Sequence, residues 1–292
     1  MPLIAVPNVS EGRDRALLGA ISDAFESGGA AVLDVHSDPD HHRSVFTLAA
    51  APATLARAVL AGARTVVERV DLNAHDGIHP RIGALDVAPI VWLHPADRGA
   101  ACAEALVLAD ALGRELELPV YLYGALAGGR TRAELRRCNA ASLVAQTAPD
   151  YGPRRAHPTA GAVLVAARAP LIAFNVELAP PATLTQARAI AAAIREGGAG
   201  GLTGVRALGL RLERSDRIQV STNIEDHEAV TAADVIAAVR RHAPVASAEL
   251  VAPAPRAALR DLPADVPLRG FDPARHVLEN ALAHHRLAAS GD

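Results

Sequence analysis

The sequence predicts an α/β fold (α+β in its detail) of two packed subdomains, the second a ferredoxin-like βαββαβ unit. Three observations predict it. Short apolar runs of strand length alternate with longer stretches whose apolar residues recur at helical spacing. Half of the 292 residues are hydrophobic and only 3% aromatic, an aliphatic composition that builds packed cores and does not stay unfolded. The second half, read from its caps and turns, has the order βαββαβ.

The elements follow in order. Leu3–Val6 is a short apolar strand, and Pro7–Arg13 a loop. Leu17, Leu18, Ile21 and Phe25 mark a helix that Gly28-Gly29 ends. Ala31–Val35 is a second strand, His36–His42 a polar loop, and Ser44–Ala49 a third strand. An Ala-rich helix covers Pro52–Val70. A strand near Val87–Leu93, a helix near Gly99–Leu116, a strand at Pro119–Tyr123 and a helix over Arg132–Thr147 come next. Ala160–Ala167 is an apolar strand behind a Gly/Pro-punctuated loop.

In the second half, Pro170–Glu177 is a strand. Thr183–Glu196 is a helix with an apolar stripe, capped by Thr183 and stopped by Gly197-Gly198. Val205–Leu212 and Arg217–Asn223 are strands joined through Ser215-Asp216. Ala232–His242 is a helix, Ser247–Val251 a strand, and a Pro-containing extended tail leads to a last helix over Pro273–Arg286. The subdomains are expected over 1–168 and 169–292, with no low-complexity linker between them.

Composition excludes some chemistry. The net charge of −3 argues against a nucleic-acid partner. All 29 basic residues are Arg, so Schiff-base and lysine-nucleophile mechanisms are excluded. Cys102 and Cys138 make no disulfide framework, and a reducing cytoplasm is the default expectation. The N-terminal stretch has no basic leader, and Ala160–Ala167 is far below the ~20 residues that span a bilayer, so no membrane partner is expected.

Three polar constellations could carry chemistry. The first is Asp34–Arg43, with Asp38, Asp40, His42 and Arg43 at the end of a strand. The second, Asp71–Asp86, packs His75, Asp76, His79, Arg81 and Asp86 around Gly77, Pro80 and Gly83. That mixture suits a rigid turn presenting an imidazole and a guanidinium, not a core helix or strand. The third is the loop Pro149–Gly161. The first has a plainer reading as a solvated turn, the second as a pair of hydrogen-bonded structural imidazoles and the third as a connector, and spacing alone leaves open a metal site built on His36, Asp38, His41, His75 and His79. Gly197–Gly201 follows a helix and precedes a strand, the wrong order for a phosphate loop.

The second constellation, His75-Asp-Gly-Ile-His-Pro-Arg-Ile-Gly-Ala-Leu-Asp-Val87, closely resembles the active-site stretch of glutamate formiminotransferases. So do Val6–Arg13, Arg43–Val45, Pro119–Gly124, Asp150–Pro153, Ile172–Asn175 and Gln219–Asn223, and the likeness covers about residues 3 to 251. The resemblance implies two α/β subdomains, a homodimer, and tetrahydrofolate as co-substrate without a metal. It implies transfer of a formimino (or formyl) group between N-formimino-L-glutamate and N5 of tetrahydrofolate. His79 matches the catalytic histidine, with Asp38 or Asp40 to orient it. Arg43, Arg81 and His42 are the implied substrate-binding residues. The folate-binding segment maps onto Gly152, Pro153, Arg154, Arg155, Ala156, His157, Pro158, Thr159, Ala160 and Gly161. The cyclodeaminase activity that follows this domain in vertebrates is not expected.

Three departures stand out. Ile78 replaces an acidic neighbour of the histidine, His42 sits where the family usually has Asn, and Arg137–Ala141 replaces an Arg-x-Gly-Glu-Tyr-Glu stretch. A lost charge-assisted contact is worth roughly 1.5–3 kcal/mol, so the amino-acid half of the substrate could differ; N-formylglutamate and other N-formimino amino acids are candidates. A binding paralogue without turnover is the other alternative.

Overall fold

A computed structural model of the chain describes residues 2–77 and 79–289, with side chains to residue 285. The chain divides into two compact units between Ala169 and Pro170. Among the described residues, no helix is long and apolar enough to cross a membrane.

The first unit comprises β1 (Leu3–Ala5), β2 (Asn8–Val9), α1 (Arg15–Ser27), β3 (Ala31–Asp38), β4 (Arg43–Ala50), α2 (Leu55–Arg69), β5 (Leu85–Val91), α3 (Arg98–Glu115), β6 (Val120–Leu122), α4 (Arg132–Leu135), α5 (Ala140–Gln146) and β7 (Val163–Arg168). The sheet runs β3-β4-β1/β2-β5-β7-β6. β1 and β2 lie in one strand position between β4 and β5, interrupted at Val6-Pro7. The β5–β7 and β7–β6 pairs are parallel, as crossovers through helices require.

Both faces of this sheet are covered, which is why β7 reads as a continuous apolar run. On one face Ile21, Phe25, Val59, Val66 and Leu108 pack against Leu48, Ile90, Val163 and Val165. On the other, a smaller cluster joins Ile82, Val87, Tyr121, Leu135, Leu143 and Leu164. Asn8 pairs with Val87 but Val9 with Leu85, so Asp86 is the extra residue of a bulge. Bulges re-aim side chains beside active sites, and Asp86 is fully buried here.

Two expectations for this unit need correction. β3 does not stop at Val35 but continues to Asp38, which pairs with Arg43 across a tight hairpin. Cross-strand pairing with β4 outweighs the low strand propensity of His-Ser-Asp. The expected single helix over Arg132–Thr147 is two short ones. Asn139 stops the run, because its side chain accepts from Ser142 N at 2.9 Å and caps the second.

The second unit comprises β8 (Ile172–Leu178), α6 (Leu184–Ile194), β9 (Val205–Leu212), β10 (Arg217–Ile224), α7 (Ala232–Arg240), β11 (Val245–Leu250), α8 (Pro273–His276) and α9 (Leu278–Ala289). Its antiparallel sheet has the order β11-β8-β10-β9, so the ferredoxin-like expectation holds. Thr183 with Gln186 and Thr231 with Asp234 form capping boxes on the two helices. Phe174, Val176, Ile190, Ile194, Val220, Val235 and Ile236 form the core. The tail lies beside β11, where Leu268 bridges to Ala248 and carries Arg269 onto Glu177 (2.7 Å) and Glu249 (3.0 Å). The last helical stretch breaks at Val277.

Candidate active site

Asp86 organises the site. Its Oδ1 accepts from Ile82 N at 2.9 Å, and its Oδ2 accepts from Arg43 Nη1 at 2.6 Å and from Arg136 Nη2. Arg43 also donates to Asn8 Oδ1 through Nε (3.1 Å) and Nη2 (2.8 Å). Burial pulls the Asp86 carboxyl up. The charges of Arg136 and Arg43, with the Ile82 N–H, outweigh it and hold the carboxyl well below the usual carboxylate range. Burial likewise lowers the Arg136 guanidinium to about 10, against the raising effect of Asp86.

His79 sits against this cluster. Its Nδ1 is out of solvent and, among the described residues, has no hydrogen-bond partner. Burial first, then the charges of Arg43 and Arg136, push the ring well below the ordinary imidazole range, and Asp86 only partly opposes them. The resting ring is therefore neutral at physiological pH, the state a general base needs.

The loop bearing His79 is clasped from within. Arg81 Nη1 donates to the carbonyls of Gly77 (2.7 Å) and His79 (3.1 Å), and Nη2 to that of His75 (3.0 Å). His75 stacks on His42 with centroids 4.3 Å apart, and its Nε2 meets His42 O at 2.9 Å. Gly77 N donates to His75 Nδ1 at 3.1 Å, which fixes the neutral tautomer with the proton on Nε2. Burial lowers both His75 and His42. Ile78, which stands where the resembling family has an acidic neighbour of the histidine, lies outside the described residues.

The β3–β4 hairpin brings a fourth imidazole, His41. Asp38 Oδ1 accepts from the backbone N–H of Asp40 (2.7 Å) and His41 (2.9 Å), which closes the turn. Its Oδ2 lies 2.9 Å from His41 Nδ1. The His41 ring stands edge-on to His79, with centroids 5.8 Å apart. It is Asp38 whose carboxylate reaches this ring; Asp40 contributes its N–H to the turn. His42 closes the hairpin at φ +48°, a left-handed conformation, and its Nδ1 accepts from Gly12 N at 3.1 Å. Asn adopts that conformation readily, which gives the Asn usual in the resembling family a backbone reason.

The segment Gly152–Gly161 is sewn to the same loop. Leu72 N donates to Thr159 O (2.9 Å), Asn73 Nδ2 to Pro158 O (3.1 Å), Ala84 N to Ala160 O (2.9 Å) and Ala162 N to Ile82 O (2.9 Å). His157 and Gly161 exchange both backbone hydrogen bonds, and His157 Nδ1 accepts from Ala160 N at 3.0 Å. Gly152 at φ +78° and Gly161 at φ +69° close the turns, where a Cβ would strike the carbonyls of Leu118 and Ile82. Pro153 and Ala156 are half-buried, while Arg154 and Arg155 are exposed, the latter paired with Glu117 at 2.9 Å.

His79, Asp38, Arg43, Arg81 and His42 thus fall in one part of the first unit. Sequence reasoning missed Arg136, and it named His41 only as a possible metal ligand, not as the partner of Asp38 beside His79. Arg136 gave no signal, standing some fifty positions from Asp86 in a stretch read as helix interior. His41 had one, its place in the Asp-Pro-Asp-His-His turn. Among the described residues, no group of three or more His, Cys, Asp or Glu is placed to hold a metal.

The formiminotransferase domain, N-terminal subdomain, matches residues 3–168, and the formiminotransferase domain matches residues 173–261. A glutamate formimidoyltransferase of Streptococcus pyogenes serotype M1 is 33% identical over 95% of this chain and 97% of its own. That of Thermoplasma acidophilum is 35% identical over 91% and 93%. The formimidoyltransferase-cyclodeaminase of Rattus norvegicus is 37% identical over 88% of this chain, which spans about half (50%) of that protein's length. With profiles over both units and two relatives matched along almost their whole length, the chain belongs to the formiminotransferase-domain family.

Proposed function

We propose that this protein transfers a formimino (or formyl) group between N-formimino-L-glutamate and N5 of tetrahydrofolate, with His79 as the general acid and base. The observation that carries the reading is the hydrogen bonding of the His79 loop to Gly152–Gly161. The neutral imidazole and the segment proposed to bind folate belong to one rigid frame, as reaction at a bound pterin requires. The chemistry adds an amine to an amidine carbon and expels another amine. The proton leaves N5 for His79 and returns to the departing glutamate nitrogen.

In this reading Arg43 and Arg81 act on the amino-acid half. Arg43 is held by Asp86 and Asn8, so it supplies positive potential at a fixed place. Arg81 holds the loop, and His42 positions its neighbour His75. We further propose functional subdomains over 1–168 and 169–292, a homodimer, and a cytoplasmic location. Cys102 and Cys138 are free, which suits a reducing compartment. The relatives' printed names support formimino transfer over a hydrolase or a silent binder.

The test is a coupled assay with N-formimino-L-glutamate and tetrahydrofolate, beside a tetrahydrofolate titration and N-formylglutamate as rival donor. Turnover with the first donor is expected. Binding without turnover on either donor would move the assignment to a binder. Sedimentation of the purified protein checks the dimer.

A further inference from the structure

His79 faces a difficult electrostatic task in the proposed reaction, and this inference rests on that reading. It must take up a proton while Arg43 from β4 and Arg136 from the α4–α5 link face it, with Asp86 from β5 the nearby carboxylate. Asp86 pairs with both guanidiniums, one negative charge against two positive ones. A proton left on His79 would make a second uncompensated cation in a buried place. A further titratable neighbour is His41, whose side chain is 11% exposed and has the Asp38 carboxylate 2.9 Å from its Nδ1.

We propose that His41 is a positioning residue for the transfer, forming with Asp38 a carboxylate–imidazole pair that acts through His79 and holds the transferred proton between the two halves of the reaction. The N5–H bond breaks and its proton moves to His79. The proton then passes to the His41 ring, 5.8 Å away centroid to centroid, where Asp38 faces the cation. As the bond from carbon to the glutamate nitrogen breaks, the proton returns through His79 to that nitrogen. One proton leaves and one is delivered, and no oxidant or further reactant is needed.

Asp38 is fit for this role. Burial would raise its carboxyl. The hydrogen bond and charge of His41, with the N–H groups of His41 and Asp40, hold it well below the usual carboxylate range. It therefore stays ionised wherever the enzyme would work. The pairing also differs from a metal site: His42 and His75 stack on each other rather than converging with His41 and His79.

The experiment compares wild type, Asp38→Asn and His41→Gln as full-length proteins. Asn keeps the oxygen that closes the Asp38 turn, so the hairpin survives while the charge is lost. Nitrogen-15 imidazole spectra across pH are recorded without substrate, and kcat and KM are measured for both substrates. In Asp38→Asn the His79 titration midpoint is expected to move, and kcat to fall about tenfold with both KM values within about twofold. An unchanged His79 titration with unchanged kcat in Asp38→Asn overturns the proposal. So does a loss confined to His41→Gln, which would mean packing alone. If wild type shows no formimino transfer, the reaction assignment fails, while the spectra still decide whether the two rings are coupled.

Discussion

Rate and binding should separate at His79. General acid–base catalysis contributes ~10²–10⁴-fold, so His79→Ala should lower kcat by that order and leave tetrahydrofolate affinity within a few-fold. His75→Ala is the control, since His75 Nε2 is held by His42 O at 2.9 Å and its Nδ1 by Gly77 N. A larger loss at His75 would place the base there. The same burial has a stability consequence. Burial and the two guanidiniums put the folded-state midpoint of His79 below the ordinary value of about 6.5. Above that value the ring is neutral in both states and contributes nothing. Below it the unfolded chain gains a proton that the folded chain refuses, so stability falls as pH drops toward the folded midpoint, by up to ~1.4 kcal/mol per pH unit. His79→Gln should flatten this limb in denaturant titrations between about pH 6.5 and 5; an unchanged slope would show that His42, His75 and other groups carry it. The grouping of His79, Arg43 and Arg81 was legible in the sequence because the stretches that carry them resemble those of the family, and Asp38 lies in the same polar run as Arg43. Arg136 was not, because its reason for being there is Asp86, far away in the chain.

Among the elements, turns decide more than propensities. The hairpin between β3 and β4 and the break between α4 and α5 were both misread, and in each a side chain makes the local choice. Asp38 closes one turn and Asn139 caps the helix after the other. Such short-range bonds compete with regular structure and leave little trace in an apolar pattern. The segment Gly152–Gly161 is held by two glycines with positive φ and no room for a Cβ. Gly152→Ala should therefore destabilise the first unit by more than the ~1 kcal/mol of an ordinary Gly/Ala exchange, and loosen the segment that His79's loop leans on. Thermal melting together with tetrahydrofolate titration checks both. A rise in stability would mean that the turn relaxes freely. At β5, Asp86→Ala should cost roughly 3–5 kcal/mol, because it strands two buried guanidiniums; denaturant midpoints measure it.

For the whole molecule, the ferredoxin-like second unit was the most legible part. Its helices carry Thr caps and clean apolar stripes. The tail was not, since Leu268 joins the sheet at Ala248 through backbone bonds that no side-chain pattern announces. Arg269 on that tail faces the buried Glu177 and Glu249. Arg269→Ala should accordingly destabilise the second unit by about 2–4 kcal/mol and raise its sensitivity to protease; an unaltered melting curve would show that Arg217, 2.9 Å from Glu177, suffices. The first unit has a different history written into it. The carboxylate of Asp86 is delivered by one strand, Arg43 by another, and Arg136 by a link made much later in the chain. During synthesis, the first two must emerge and wait, with a buried charge pair half assembled, until the third arrives. Strand β7 and the segment Gly152–Gly161 come later still, so a nascent chain halted before Arg136 would lack both the second guanidinium on Asp86 and the strand that joins β6 to β5.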